Sequence, residues 1–226
     1  MQNGLFPFPV NRVTSVWFFK SGIFIAPKTG FYLITLSGSG GGGGGSGQTK
    51  GGGGGASAAV LKKLVLLRQG ESVRVTIGDR GTPGLGGAPN GTNGSAGGDS
   101  YFGNYLKAKG GGGGIAGETS TGGTADNTNS TQSVSSTITP VLTSTDLLGV
   151  NGSPGGATDG GPGAASAFGL GGPNATPSTP NPDAPPKSYG AGGGGGRVGY
   201  TSTNGAGGGG YGQYGCCKIE SDLFAV

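Results

Sequence analysis

The sequence predicts an all-β fold: a small antiparallel β-sandwich, with glycine-rich excursions that leave one end and pack together as strands of the polyglycine II type. Glycine supplies 59 of the 226 residues, and much of it lies in unbroken runs. Strand-like patterns occur only in the first half of the chain and at its C-terminal end. Ordering one backbone residue costs roughly 1–2 kcal/mol. Because glycine has no side chain to bury, we expect backbone hydrogen bonds to hold these runs.

The first strand-like segments lie near the N-terminus. Residues 16–19 and 23–25 are rich in β-branched and aromatic residues. The sequence APKTG at residues 26–30 is a turn signal, and it leads into FYLITL at residues 31–36. The first glycine run, residues 40–45, follows this strand closely. We therefore predict a strand that passes from the sandwich directly into glycine-rich chain.

The next segment, AAVLKKLVLL at residues 58–67, is ambiguous because its apolar spacing suits a short helix as well as a strand. The residues that follow favour a strand. Gln69, Gly70 and Glu71 are typical of a tight turn, and SVRVTI at residues 72–77 alternates between polar and apolar side chains. We predict that the two segments form an antiparallel hairpin.

Two more strand regions complete the sandwich. Residues 101–109 contain a turn at Gly103 and Asn104, and residues 216–224 form the final strand. Because each tight turn reverses the chain, all glycine-rich excursions should leave the same end of the sandwich. Polyglycine II strands have no internal hydrogen bonds, and only glycine lets such backbones approach closely. A collagen triplet is absent, since glycine is clustered rather than repeated at every third residue.

These patterns divide the chain into an N-terminal docking segment, residues 1–21, and a glycine-rich β-sandwich domain, residues 22–226. Within the domain, residues 117–190 interrupt the glycine with many serine, threonine, asparagine and proline residues. We interpret this stretch as long inserted surface loops. Loops on a rigid scaffold are common sites of recognition.

The composition argues against catalysis, cofactors and nucleic acid. The chain has no histidine, the residue most often used for general acid-base catalysis and a common metal ligand. Matches to a dinucleotide-binding pattern occur trivially inside polyglycine, without a helical pattern after them. The formal net charge is only +4 and charged residues make up 11% of the chain, too weak for a nucleic-acid footprint. We expect a non-enzymatic protein without cofactor or metal.

The cysteines and the chain start bear on the compartment. Cys216 and Cys217 are adjacent, and neighbouring residues of a strand point to opposite faces. We expect two buried thiols, with an interchain disulfide as the alternative. The sequence at residues 1–13 lacks the charged and apolar blocks of a signal peptide, which predicts synthesis in a cytoplasm.

Several features follow one another along the chain: a turn with Pro27 and Gly30, a strand ending in polyglycine, a hairpin through Gly70, a strand exit at Ile77 and Gly78, and an aromatic segment running into glycine at residues 101–114. In this order they resemble the glycine-rich C-terminal domain of bacteriophage tail fibres and related virion appendages. The resemblance covers residues 22–114 and the closing GGGGYGQYGCCKIESDLF. It implies a distal virion adhesin that binds the bacterial surface, made in the host cytoplasm and built on a three-fold polyglycine lattice.

The receptor of such an adhesin would be lipopolysaccharide or an outer-membrane protein. Tyrosine offers stacking area and a hydroxyl group at low conformational cost, so four tyrosines are candidate receptor contacts. The alternative, that each ring packs against a glycine strand, is equally open. The candidates are Tyr189, Tyr200, Tyr211 and Tyr214.

A second functional class is a structural virion decoration, such as a head fibre or a capsid or tail accessory protein. In either class the chain needs other virion proteins as partners, and aromatic residues near the N-terminus are the candidate docking contacts. The strand segments form a core that is marginal alone, which favours a homotrimer; a monomer that caps another fibre protein is the alternative. The docking candidates are Phe6, Phe8, Trp17 and Phe18.

Overall fold

A computed structural model describes residues 14–48, 50–87, 90–117, 149–175, 183–184, 187–198 and 207–221. In these ranges the chain forms strands and no helix longer than a single turn, and the strands make two antiparallel four-stranded sheets. The all-β prediction is therefore confirmed. The strands are β1 (Thr14–Phe18), β2 (Gly22–Ile25), β3 (Gly30–Ser37), β4 (Val60–Leu67), β5 (Ser72–Thr76), β6 (Ser100–Phe102), β7 (Leu106–Ala108) and β8 (Cys216–Ser221).

The core lies between the two sheets. The first sheet has the strand order β1-β8-β3-β4 and the second has the order β2-β5-β6-β7. Alternate residues of β3, namely Tyr32, Ile34 and Leu36, are buried on the inner face of the first sheet. Val75 and Phe102 of the second sheet are equally inaccessible to solvent and belong to the same core. This period of two is what a strand with one buried face requires.

The prediction that β4 and β5 pair as a hairpin is wrong. Residues 58–67 and 72–77 do contain the strands β4 and β5, and the turn between them is tight: Gly70 has φ of 80°. The backbone N–H of Glu71 donates to the carbonyl of Arg68 at 3.0 Å. However, β4 pairs with β3 and β5 pairs with β2. The turn therefore carries the chain from one sheet to the other. Both arrangements bury the same alternate residues, so the pattern alone did not distinguish them.

The strand directions agree with the prediction that the excursions share one end of the sandwich. β3 ends and β4 begins at this end, where Gly38 N–H donates to the carbonyl of Ala59 at 3.2 Å. The short turns at Gly70 and Gly103 lie at the opposite end. Glycine-rich chain can therefore assemble side by side on one side of the β-sheets.

Residues 38–47 form the centre of a glycine lattice, and their N–H groups donate to three neighbours in rotation. Gly40 N–H donates to the carbonyl of Gln213 at 2.8 Å. Three residues later, Gly43 N–H donates to the carbonyl of Gly210 at 2.9 Å. A repeat of three residues is the turn of a polyproline II helix, so this segment is a polyglycine II strand. Its N–H groups donate to segments 50–59, 92–98 and 207–213, and its carbonyls accept from segments 81–87, 111–117 and 193–196.

Each glycine from residue 40 to residue 45 lies against the backbone of a neighbouring strand. A Cβ atom added at Gly41, Gly42 or Gly43 would lie closer than 3.0 Å to a backbone oxygen, each time in a different adjacent segment. Real Cβ atoms essentially never come so close. The unbroken glycine run is therefore a steric requirement of the central strand.

Outer strands need glycine only where they face inward, which is one residue in three. The conclusion that glycine does not recur at every third residue is wrong for these strands. At the other positions side chains point outward, and Leu85 is 70% exposed. The inward-facing glycines are Gly81 and Gly84; Gly91, Gly94 and Gly97; Gly152 and Gly155; and Gly209, Gly212 and Gly215.

Part of the stretch interpreted as surface loops, residues 149–164, lies instead in the lattice. Gly54 N–H donates to the carbonyl of Ser153, and Gly161 N–H donates to the carbonyl of Gly52, both at 2.9 Å. Proline suits an outer strand because its ring presets the φ angle and it has no N–H to satisfy. Residues 118–148, 176–182 and 185–186 of the same stretch lie outside the described residues.

A layer of buried serines joins the sandwich to the lattice. Ser37, Ser39 and Ser100 are all fully buried, and we call them the serine layer. Ser39 Oγ donates to the carbonyl of Gly78 at 2.6 Å and accepts from the N–H of Gly215 at 2.8 Å. Ser100 Oγ accepts from the N–H of Gly78 at 3.1 Å. These hydroxyls satisfy backbone groups where sheet pairing ends, as buried polar groups require.

Candidate functional site

Four aromatic rings join the edge of the first sheet to the lattice, and we call them the edge cluster. Phe19, directly after β1, stacks on Trp17 with ring centroids 5.7 Å apart and on Tyr189 with centroids 5.0 Å apart. Phe168 contacts Trp17 and Tyr189 edge-on at 6.4 and 6.2 Å. Since Phe168 and Tyr189 belong to glycine-rich excursions, the cluster ties the edge strand to the lattice.

The docking candidates differ in how much of each ring is exposed to solvent. Trp17 is 39% exposed, and the Nζ atom of Lys218 lies 5.5 Å from the centroid of its ring. Phe18 faces the other way, half-buried against the hydrophobic core. Phe6 and Phe8 lie outside the described residues. Of the described candidates, Trp17 leaves part of its ring exposed to solvent, and Phe18 packs against the core of the sandwich.

Two of the edge strands, β1 and β2, together with the residue that follows β1, expose several apolar side chains. Both are the first strand of their sheet and, in the described part of the chain, pair on one side only. Open strand edges are templates for pairing with another chain. The exposed fractions are 39% for Val16, 39% for Trp17, 48% for Phe19, 65% for Ile23 and 62% for Ile25.

We expect Phe19→Ala to open the edge cluster, because it removes the ring between Trp17 and Tyr189. Phe19 is half exposed, so the loss of unfolding free energy should be about 1–2 kcal/mol, below the range for a fully buried aromatic residue. Trp17 is the only tryptophan, and its fluorescence emission should shift to the red. Ile23→Ala is the control, because the Ile23 side chain is 65% exposed on β2 and lies outside the edge cluster. Equal effects of the two variants on emission and unfolding would contradict a cohesive cluster.

A second group, which we call the tyrosine clamp, holds an arginine between two rings. The Cζ atom of Arg80 lies 4.0 Å from the ring centroid of Tyr211 and 5.4 Å from that of Tyr214. Tyr214 is 43% exposed. The carboxylate of Asp183 accepts a hydrogen bond from the backbone N–H of Tyr211 at 2.7 Å. The clamp is thus a surface site with stacking area, a cation and an acceptor.

The four tyrosines predicted as receptor contacts do not form one site. Tyr211 and Tyr214 meet in the clamp, whereas Tyr189 lies in the edge cluster, where burial raises its pKa. Tyr200 lies outside the described residues. Arg80 was missed, although a signal existed. Arg80 follows β5 and Tyr214 precedes β8. The strand directions place both residues at the end of the sandwich that carries the lattice.

Tyr105 and Glu71 form a hydrogen-bonded pair with a structural role. The Tyr105 hydroxyl donates to the Glu71 carboxylate, which raises the pKa of Tyr105 to about 12. The backbone N–H of Arg68 and the Tyr105 hydroxyl lower the pKa of Glu71. These bonds connect turns at the end of the sandwich away from the lattice. In the ranges that the structure covers, no cluster of side chains suits a metal ion, and no helix has the length and hydropathy to span a bilayer.

Cys216 and Cys217 are buried and unpaired, as expected from their position in a strand. Burial raises the pKa of the Cys216 thiol to about 12 and that of Cys217 further still. Both thiols are therefore protonated at neutral pH and are poor nucleophiles, since the thiolate is the reactive form.

An antiparallel sandwich that carries a polyglycine II lattice on one end, with aromatic clusters beside it, defines a glycine-rich β-domain. The chain belongs to the glycine-rich domain family, whose model matches residues 20–221. No curated protein matches it. The family match confirms the glycine-rich domain implied by the resemblance; the link to phage tail fibres stays a prediction.

Proposed function

We propose that the protein is a bacteriophage virion appendage, a tail-fibre tip adhesin that binds a bacterial surface receptor without catalysis. The observation that carries this proposal is the lattice itself. Its strands are held by backbone hydrogen bonds, so its outward-facing side chains and connecting turns can vary without loss of packing. Recognition commonly resides on variable segments of a rigid scaffold.

The far end of the lattice is the proposed receptor-facing surface. Residues 38–47 extend about 30 Å from the sandwich at the 3.1 Å rise of a polyproline II strand. There the chain turns back, with Gly47 N–H donating to the carbonyl of Lys50 at 3.0 Å. Arg197 Nε pairs with the Asp159 carboxylate at 3.0 Å near another such turn. Charged turn residues at this end suit a polar receptor such as lipopolysaccharide or a loop of an outer-membrane protein.

The exposed edges of β1 and β2 are the proposed attachment to other virion proteins. Val16, Trp17 and Ile23 offer apolar contact area beside open strand edges. Such edges bind extended segments of a partner as added strands. This surface would also serve a homotrimer or a monomer that caps another fibre protein.

Immunogold electron microscopy tests the proposal. Gold-coupled antibody against the purified protein is applied to particles that carry the protein, and the label is located. We expect gold at the distal tips of tail fibres, and purified protein should compete with particles for adsorption to host cells. Gold on the capsid or along the tail wall, without competition, would replace the adhesin by a structural decoration.

A further inference from the structure

We propose that the tyrosine clamp is a binding subsite for an anionic saccharide, a sugar that bears a phosphate or a carboxylate group. The ligand class rests on the proposed function, since a cell-surface saccharide is one of its receptors. The subsite itself rests on Arg80, Tyr211, Tyr214 and Asp183, whose arrangement matches the separate parts of such a ligand.

Arg80 supplies the anion contact. The guanidinium lies over the ring of Tyr211, and stacking of this kind uses the flat face of the group. The N–H donors of a guanidinium lie in its plane, so a guanidinium that stacks by its flat face keeps these donors available for another partner. Among the described residues none accepts a hydrogen bond from Arg80 or pairs with it as a carboxylate. The donors are thus held in place for a bidentate contact with a phosphate or carboxylate.

Tyr214 and Asp183 supply contacts for the sugar ring. The exposed ring of Tyr214 carries the negative charge density of an aromatic face, which attracts the weakly positive C–H groups of a sugar. The Asp183 side chain is exposed, and one of its oxygens is fixed by the Tyr211 N–H. Its second oxygen can accept a bond from a sugar hydroxyl. An arginine, an aromatic face and a carboxylate together distinguish a saccharide from a simple anion.

Two lysines in the described part of the chain also lie over an aromatic ring, Lys107 over Tyr101 and Lys218 over Trp17, but each is already paired with a carboxylate. Lys107 pairs with Asp99 at 2.8 Å, and Lys218 pairs with Glu220 at 2.7 Å. Arg74 is exposed on β5 opposite Ile23 and has no ring beside it. Arg74 is therefore a matched control, an arginine of similar charge without a clamp.

Titration calorimetry with the purified full-length chain tests the subsite. The probes are mannose 6-phosphate, galacturonic acid, the neutral sugars mannose and galactose, and inorganic phosphate. We expect at least one anionic sugar to bind about tenfold or more tightly than its neutral counterpart and than inorganic phosphate. Arg80→Gln should weaken that binding about tenfold, and Tyr214→Ala should weaken it too. Arg74→Gln should leave it unchanged.

The proposal is overturned if Arg80→Gln and Arg74→Gln have the same effect, or if neither anionic sugar binds better than its neutral counterpart. Tyr214→Phe, which keeps the ring, should retain binding, and thermal unfolding of each variant shows that the chain is folded. The subsite and the adhesin can fail separately. If the protein binds the sugar but the gold label lies on the capsid, only the adhesin proposal is overturned. If the label lies at the fibre tips but no anionic sugar binds, only the subsite proposal is overturned.

Discussion

Gly43→Ala is expected to unfold the centre of the lattice. The added Cβ would lie closer than 3.0 Å to the carbonyl oxygen of Gly194, and Gly43 N–H donates to the carbonyl of Gly210 at 2.9 Å. Overpacking costs about 1–3 kcal/mol where side chains can adjust. Here the obstacle is backbone held by its own lattice bonds, so we expect about 3 kcal/mol or more. For a chain of this length, that corresponds to a fall in Tm of about 6–12 °C.

Gly87→Ala is the matched control for this prediction. Gly87 lies on an outer strand of the same lattice and donates to the carbonyl of Ser46 at 3.2 Å, but nothing lies within 4 Å of an added Cβ. Alanine restricts the unfolded chain, so the free energy of unfolding should stay equal or rise by about 0.4–1 kcal/mol. Thermal unfolding followed by circular dichroism compares the two variants. If Gly43→Ala and Gly87→Ala have equal Tm values, the central strand is not tightly enclosed.

The direction of the strands could be predicted from the sequence, but the sheet to which each belongs could not. Turn residues such as Gly70 mark where the chain reverses, and alternation marks which residues are buried. Neither property depends on whether β5 joins the sheet of β4 or crosses to the other sheet. That choice follows from the packing of the two layers, in which β2 rather than β4 borders β5.

The existence of a polyglycine II lattice was predicted from the sequence. The arrangement of its strands was not predicted, although the spacing of the glycines indicates it. Runs such as residues 40–45 mark strands enclosed on all sides. A glycine at every third residue, as at Gly91, Gly94 and Gly97, marks strands with one inward face. With this rule, residues 149–156 would have been assigned to the lattice, because Gly152 and Gly155 keep the same spacing.

The candidate site was only partly predictable, for a related reason. Tyr211 and Tyr214 were identified by residue type, which says nothing about neighbours. Arg80 reaches them because Gly81 N–H donates to the carbonyl of Gly40 and Gly40 N–H donates to that of Gln213. The clamp thus depends on which strands border the central one. That order is set by three-dimensional packing over distant parts of the chain.

Ser39→Ala should have the second large effect, because Ser39 completes the hydrogen bonding where the sheets give way to the lattice. The hydroxyl group satisfies the carbonyl of Gly78 and the N–H of Gly215, and all three residues are buried. Each buried polar group left without a partner costs about 1–3 kcal/mol. The two together predict a loss of roughly 2–6 kcal/mol in the free energy of unfolding, measured by denaturant titration.

Hydrogen exchange separates this explanation from a general loss of packing. In Ser39→Ala the amide of Gly215 loses its acceptor, so its exchange should accelerate more than that of Gly43, whose acceptor is the carbonyl of Gly210. Ser72→Ala, an exposed serine on the outer face of β5, should change neither stability nor exchange. Uniform acceleration across the lattice would show that Ser39 acts by filling space. Local acceleration at Gly215 means that its hydroxyl holds the first turn of the lattice on the sandwich, where the two-residue repeat of the sheets becomes the three-residue repeat of the glycine strands.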